Sequence, residues 1–159
     1  MKRFHVHLSV KDLPQSIAFY NHLFGAAPTV QRTDYAKWML DDPRVNFAVS
    51  QLGHAPGLDH LGFQVEFAAD LAQGIESLRA AGLHVQAQQG TQCCYAQSDK
   101  GWVHDPQGIP WETFFTHGES TVYGVDRAAR SASSGACCAP GSAPTPCCAP
   151  EDRPQGCCA

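Results

Sequence analysis

Residues 4–25, FHVHLSVKDLPQSIAFYNHLFG, and residues 58–82, LDHLGFQVEFAADLAQGIESLRAAG, follow one plan and decide the fold. Each stretch opens with a predicted strand and continues into a helix whose apolar residues recur three or four positions apart. Asp12 provides an N-cap for the first helix, and a glycine ends both helices, at Gly25 and Gly82. A second helix is predicted over residues 67–81. The chain is therefore a tandem repeat.

Short strand candidates follow each helix. They lie at residues 29–31, 35–40 and 45–50 in the first module, and at 83–87, 94–98, 101–104 and 111–116 in the second. Lys100 is expected in a solvent-exposed turn between two of these strands. We predict an α+β fold of tandem βαβββ modules, about residues 1–52 and 56–117, whose sheets surround a common cleft.

The composition changes after His117. From Gly118 onward the chain consists of Gly, Ser, Ala, Thr, Pro, Cys and some charged residues, and beyond Val125 it has no Leu, Ile, Val, Phe, Tyr or Trp. Such a segment cannot bury enough apolar surface to offset the entropy of ordering it. Residues 118–159 are therefore predicted to form a disordered, cysteine-rich tail.

Charge and length restrict the class of protein. The 159 residues carry a net charge of −4 and the pI is about 6.0, with no Lys/Arg cluster, so nucleic acid and anionic membrane are not expected partners. No apolar signal region follows Met1, and no stretch has the length of a membrane span. We expect a cytoplasmic protein with reduced thiols, as a monomer or a homodimer.

All eight cysteines occur as adjacent pairs. Two neighbouring thiolates can bond one soft centre such as As(III), Cd(II), Zn(II) or Cu(I). A disulfide framework is the alternative, but it belongs to small secreted chains. Consecutive strand residues face opposite sides, so chelation by Cys93 and Cys94 requires a loop or a strand start; otherwise they are a buried apolar pair. The tail pairs are Cys137-Cys138, Cys147-Cys148 and Cys157-Cys158.

Two histidines occupy equivalent places in the two modules. His5 and His60 each stand five residues before the end of the first strand, and pseudo-symmetric residues converge on an axis. His7 shares the strand face of His5, but the repeat register favours His5. Glu112 lies in the last predicted strand, where its carboxylate is not expected to be buried without a partner. Two unrelated histidines and a solvent-facing Glu112 remain the alternatives.

Two histidines and one carboxylate with open positions suit Fe(II) that must bind O2 and a substrate, whereas four closed ligands would indicate structural zinc. The modules and the ending Asp105-Pro106-x-Gly108-x-x-x-Glu112 resemble the vicinal-oxygen-chelate superfamily of glyoxalases, extradiol dioxygenases and bleomycin-resistance proteins. The run Thr91-Gln92-Cys93-Cys94-Tyr95-Ala96, with Asp99-Lys100 and Trp102-Val103 after it, resembles bacterial carbon–arsenic lyases and their relatives named cadmium-induced proteins. The resemblance covers about residues 3–117.

This resemblance implies an Fe(II)-dependent dioxygenase that cleaves the C–As bond of trivalent organoarsenicals, such as methylarsenite or aryl arsenicals, with O2 as co-substrate, in arsenic resistance. It implies that His5, His60 and Glu112 hold the iron and that Cys93 and Cys94 hold the arsenic. Tyr95 is predicted to contribute to substrate binding. The tail pairs are predicted to bind soft metal ions or arsenite. The alternative is a resistance protein that binds cadmium or arsenite without turnover.

Overall fold

The computed structural model describes residues 1–121 and 124. The three cysteine pairs of the predicted tail lie outside these residues. In chain order the elements are β1 (Lys2–Ser9), α1 (Leu13–Phe24), β2 (Val30–Gln31), β3 (Tyr35–Asp41), β4 (Arg44–Ser50), β5 (Gly57–Val65), α2 (Ala68–Ala80), β6 (Gln86–Cys93), β7 (Ala96–His104) and β8 (Pro110–Glu119). The predicted tandem βαβββ order is confirmed.

All eight strands form one mixed sheet in the order β2-β3-β4-β1-β5-β8-β7-β6. The order is symmetric: replacing each strand of module one (β1–β4) by its counterpart in module two (β5–β8), and the reverse, gives the same order read from the other edge. β1 and β5 pair antiparallel at the centre, where Val6 lies opposite Leu61. These two residues are also equivalent in the repeat, so the pseudo-twofold axis passes through their pair. The convergence that the repeat register predicts therefore occurs at the middle of the sheet.

The helices cover one face of the sheet and leave the other for the cavity. The Asp12 carboxylate accepts a 2.8 Å hydrogen bond from the Gln15 amide, and Gly25 ends α1 in the left-handed conformation. On the inner side of α1, a buried apolar cluster is formed by Leu13, Ala36, Trp38, Phe47 and Val49. Because strand residues alternate, His5 and His7 face away from this cluster.

The second module differs from the prediction in one strand. The two candidates at 94–98 and 101–104 are a single strand, β7, which continues through Asp99 and Lys100. The expected exposed turn at Lys100 is wrong: this side chain is 4% exposed. Lys100 pairs with Phe114 inside the ladder, and Gly101 faces Ile75, where a larger residue would overlap α2.

The last strand continues two residues past the composition break at His117. Gly118 and Glu119 pair with Gln97 and Ala96. The chain then follows the β6–β7 turn, because the Ser120 amide donates to the Tyr95 carbonyl at 2.8 Å. Gly124 forms an isolated bridge with Cys93. In the described residues, 1–121 and 124, no helix has both the length and the apolar character needed to span a membrane.

Candidate metal centre and thiol pair

Three side chains meet at the pseudo-twofold axis: His5 from β1, His60 from β5 and Glu112 from β8. We call them the ligand triad. The two Nε2 atoms are 3.1 Å apart, and each lies 3.3 Å from Glu112 Oε1. All three residues are buried, with exposures of 3–5%. The three atoms therefore form a nearly equilateral triangle in which one cation could contact every corner.

Hydrogen bonds on the far side of each ring fix the two histidines. His5 Nδ1 donates to the Asn46 carbonyl at 2.9 Å, and His60 Nδ1 donates to the Asp59 carboxylate at 2.6 Å. With Nδ1 acting as the donor, each ring presents Nε2 to the triangle. A carboxylate or carbonyl behind the imidazole is the arrangement typical of histidines that bind metals.

Burial and neighbouring charges shift the pKa values of the three residues in the ligand triad. Burial lowers the pKa of His5 to about 4, against the attraction of Glu112. Burial also opposes charge on His60, but Glu112 and Asp59 outweigh it and raise its pKa to about 10. The pKa of Glu112 is lowered despite burial, because Lys100 and His60 stabilise the carboxylate. The cluster therefore favours a positive charge beside the Glu112 carboxylate.

The donor set fits a divalent cation of the first transition series, which imidazole and carboxylate ligands bind readily. His5, His7 and His60 also form a group whose nitrogen atoms lie within 4.8 Å of one another. However, His7 Nε2 is hydrogen-bonded to Ser50 Oγ at 2.9 Å. Glu112 Oε1 contacts His5 and His60, while His7 belongs to the same group of histidines. The choice of His5 rather than His7 as a metal ligand stays a prediction.

Cys93 and Cys94 lie where β6 turns into β7. Cys93 ends β6, whereas the prediction placed it in a loop or at a strand start. Cys94 and Tyr95 form the two-residue turn, with φ values of 56° and 60°. A turn with two positive φ values matches the twist of a hairpin and is usually made of Asn or Gly. Because the turn ends the pleat, the two sulfur atoms do not face opposite sides; they lie 3.0 Å apart.

This separation permits chelation. Two sulfur atoms that each lie about 2.3 Å from one ion are at most about 4.6 Å apart. The pKa of the Cys94 thiol is well below its usual value, first because Cys93 hydrogen-bonds to it, and also because of His7 and Lys100. Burial acts in the opposite direction. The lowered pKa favours the thiolate, which is the form that binds soft centres.

Tyr95 holds the turn against module one. Its hydroxyl donates to Asp34 Oδ1 at 2.6 Å, its ring packs 5.8 Å from Tyr35, and the Arg32 guanidinium lies 5.4 Å from the ring centroid. Tyr95 is not among the residues that line the cavity. The contacts show an anchor for the thiol pair, and substrate binding by Tyr95 stays a prediction.

One small cavity of about 30 Å³ lies between the ligand triad and the thiol pair. This volume holds little more than a water molecule, so a larger guest requires the lining side chains to move apart. His60 borders it indirectly, through contact with His5 and Glu112. The cavity is lined by His5, Tyr35, Lys37, Asn46, Cys93, Cys94, Ala96, Ser98, Lys100, Glu112, Phe114 and Thr116.

The lining side chains that sequence reasoning missed include Tyr35, Asn46 and Lys100. Asn46 Oδ1 is buried and has no hydrogen-bond partner among the described residues, so it is available as an acceptor. Burial raises the pKa of Tyr35 well above its usual value, and the two cysteines add to the shift. The period of two from Trp102 would have placed Lys100 on the cavity face, had β7 been recognised as one strand.

Comparisons with known proteins agree with this architecture. Residues 2–113 match the model of the Glyoxalase/Bleomycin resistance protein/Dioxygenase superfamily. The probable trivalent organoarsenical cleaving enzyme of Bacillus subtilis is 36% identical over 140 residues, which are 87% of this chain and 91% of the relative. The cadmium-induced protein CadI of Mycobacterium tuberculosis is 33% identical over 142 residues, 87% of this chain and 93% of the relative.

A solved structure supports the fold alone. The Mn(II)-bound glyoxalase of Novosphingobium aromaticivorans superimposes with a TM-score of 0.55 at 18% identity, over 80% of this chain and 44% of the glyoxalase. The family match, in contrast, covers both modules, including the strands that carry the ligand triad. The chain belongs to the glyoxalase, bleomycin-resistance protein and dioxygenase superfamily.

Proposed function

We propose that this protein is an Fe(II)-dependent enzyme that cleaves the C–As bond of trivalent organoarsenicals and releases inorganic arsenite. One observation carries the proposal: two Nε2 atoms and one carboxylate oxygen form a triangle with edges of 3.1–3.3 Å, and two of its residues, His5 and Glu112, line the same cavity as two sulfur atoms 3.0 Å apart. A metal site explains the triad, and a thiophilic substrate explains the adjacent thiols.

His5, His60 and Glu112 would hold the metal. Two histidines and a carboxylate that leave positions open are typical of non-haem Fe(II) oxygenases, in which the iron supplies the chemistry that activates O2. Asn46 and Asp59 keep the two imidazoles oriented through the hydrogen bonds to Nδ1. The chain itself therefore contributes a preformed ligand set and needs no rearrangement of these rings.

Cys93 and Cys94 would bind the substrate. A trivalent arsenical R–As(OH)2 reacts with the two cysteine thiols, so two As–S bonds form, two As–O bonds break, and the two thiol protons leave with the hydroxyl groups as two waters. The organic group remains on arsenic. Because both sulfur atoms belong to one anchored turn, the C–As bond is held in one orientation beside the ligand triad, which accelerates reaction through proximity.

The overall reaction balances without an external reductant. One methylarsenite, CH3As(OH)2, and one O2 give As(OH)3 and formaldehyde, so the methyl carbon is oxidised and O2 is reduced. The relatives named trivalent organoarsenical cleaving enzymes support this substrate class.

A second candidate is a protein that sequesters Cd(II) or arsenite without turnover. The relatives named cadmium-induced protein CadI favour it, and the thiol pair alone would suffice for it. This alternative gives no role to the buried ligand triad, whose clustered charges are costly unless they are paired. We therefore rank it below the enzyme.

We also propose that the cysteine pairs 137–138, 147–148 and 157–158 bind released arsenite or other soft ions. The path of the chain supports this role, because Gly124 pairs with Cys93 at the edge of the candidate site. Twelve residues lie between Gly124 and Cys137, and an extended chain spans at most about 3.6 Å per residue. The first tail pair is thus within reach of the cavity.

Reconstitution tests the main proposal. The protein is loaded with Fe(II) under anaerobic conditions, mixed with methylarsenite and then exposed to air, and arsenic species and formaldehyde are quantified. Equal amounts of arsenite and formaldehyde are expected, and none is expected without Fe(II) or without O2. Stoichiometric binding of methylarsenite with no arsenite released would support the sequestering protein instead.

A further inference from the structure

Lys100 is a buried cation that connects the two halves of the cavity. It lies in the middle of β7 and is 4% exposed. Its ammonium is 3.1 Å from Glu112 Oε2 and lies 5.5 Å from the centroid of the Trp102 ring. Its charge also helps to lower the pKa of the Cys94 thiol. Lysine is rarely buried in proteins unless it is paired, so its placement here needs an explanation.

The two oxygens of Glu112 have different partners. Oε1 is 3.3 Å from both imidazole Nε2 atoms, whereas Oε2 forms the ion pair with Lys100. A carboxylate without such a partner can offer both of its oxygens to one cation. An ammonium on Oε2 favours coordination through Oε1 alone.

We propose that Lys100 is a positioning residue that keeps Glu112 a one-oxygen ligand. This inference rests on the proposed metal site. A second oxygen from Glu112 would occupy a position of the metal that the reaction needs for its reactants. Lys100 therefore keeps coordination positions open at the expense of metal affinity.

The lower metal affinity is a consequence of charge. An ammonium beside a carboxylate ligand repels a divalent cation in the same buried site, where electrostatic interactions are weakly screened. It also draws electron density from Glu112. A site that had only to bind a metal tightly would do better without Lys100. The structure thus assigns Lys100 to turnover rather than to retention of the metal.

Neutral substitutions separate these two effects. In Lys100→Met, Glu112 Oε2 is released, so we expect Mn(II) and anaerobic Fe(II) to bind at least as tightly as in the parent chain, while kcat with methylarsenite falls about tenfold or more. Lys100→Gln is the second variant if the Met variant does not fold, because it keeps a polar but uncharged group at this buried position. Metal affinity is measured by competition with a chelator, without any arsenical present.

The matched control is Lys11→Met, which removes an exposed lysine that does not line the cavity. It should leave Mn(II) affinity and kcat close to those of the parent. A folded Lys100 variant that loses metal affinity in step with activity would overturn the inference, since that is the result of a purely structural role. Unchanged kcat would also overturn it.

The measurements of metal affinity test this inference separately from the proposed reaction. If the parent binds Mn(II) and Fe(II) but cleaves no arsenical, the proposed substrate is wrong, and a gain in metal affinity in the Lys100 variants still supports the positioning role. If the parent binds neither ion, both the metal centre and the role of Lys100 are overturned.

Discussion

Modules one and two have the same order of helices and strands, but their polar and reactive side chains lie at different positions. At the axis, His5 and His60 are equivalent and identical. Elsewhere the pairs diverge: Ala48 lies beside His7 in β4–β1 pairing, and Glu112 lies beside Gly62 in the corresponding β8–β5 pairing. Each module therefore places one large polar residue and one small residue at these two positions, but in opposite strands.

The exchange has a steric reason. A Cβ atom on Gly62 would overlap the carbonyl oxygen and Cγ of Glu112, so β5 lies too close to β8 here for any residue other than glycine. In module one, Ala48 is completely buried and leaves the space to His7, which binds Ser50. The difference teaches that the repeated strands supply the symmetry of the site, while departures from the repeat supply its carboxylate.

The same principle applies further out. Tyr35 pairs with Ser50 as Lys100 pairs with Phe114, so these two buried, cavity-lining residues are counterparts. The two hairpin turns also meet, since Tyr95 of module two donates to Asp34 of module one. Only the turn of module two carries thiols. Module two thus holds most of the chemistry, and module one positions it.

The sharpest test of the shared positions is loss of one axial histidine. His60→Ala is expected to lower Fe(II) affinity more than the roughly 10–100-fold that loss of a residue behind a ligand causes, and to abolish turnover. His5→Ala should have the same effect, because the two rings are equivalent. Anaerobic iron titration and circular dichroism measure binding and folding.

His7→Ala is the control within the same strand, and its effect on iron affinity should be much smaller. Equal loss in the His5 and His7 variants would assign both histidines to the metal. Loss in His7 but not in His5 would contradict the ligand triad and the symmetry on which it rests.

The next largest effect on activity is expected from the β6–β7 turn of module two, which carries the thiols. Cys93→Ser and Cys94→Ser should each abolish cleavage of methylarsenite while iron binding persists, because one thiolate leaves arsenic on a single, easily exchanged bond. The measurement is methylarsenite binding by mass spectrometry on a chain that ends at Gly124, so that the tail thiols do not contribute. A fully active single mutant would show that the pair is not a chelate.

The steric difference between the modules gives a stability effect. Gly62→Ala should lower the free energy of unfolding by about 1–3 kcal/mol, the usual cost of overpacking, and should weaken iron binding by displacing Glu112. Gly74→Ala on α2 is the matched control: an added Cβ there meets nothing within 4 Å, and alanine favours a helix over glycine by up to about 1 kcal/mol. Urea denaturation of both variants checks the signs.

The sequence was sufficient to predict most of the fold because each module repeats local signals. Asp12 and Gly25 mark the ends of α1 by capping and by a left-handed residue, and both appear in the structure. The break that was predicted at Asp99-Lys100 was wrong, since a charged pair resembles a turn until its partners are known. The ion pair with Glu112 helps to explain why Lys100 is buried.

The candidate site was predictable where symmetry or adjacency constrained it. The repeat register brought His5 and His60 together, and the neighbouring cysteines indicated one soft centre. The roles of Tyr35 and Asn46 could not be inferred, because their contacts come from strands far apart in the chain. The hairpin geometry of Cys94 and Tyr95 was also unpredictable, since neither residue is typical of a turn with positive φ.

The smallest expected effect on catalysis comes from removing the cysteine-rich segment that follows module two. Module one has no counterpart of this segment. Truncation after Gly124 keeps the bridge between Gly124 and Cys93 and should leave kcat for methylarsenite unchanged. It should instead reduce the number of arsenite ions bound per chain, because a tethered thiol pair near the cavity acts at an effective concentration of about millimolar. Mass spectrometry after arsenite titration counts the ions on the full and shortened chains.

Truncation after Gly118 is the informative contrast, since it also removes the Ser120 amide that donates to the Tyr95 carbonyl. If only this shorter chain loses activity, the residues between Gly118 and Gly124 support the thiol turn. Equal arsenite stoichiometry in the full chain and the chain ending at Gly124 would exclude a scavenging role for the tail.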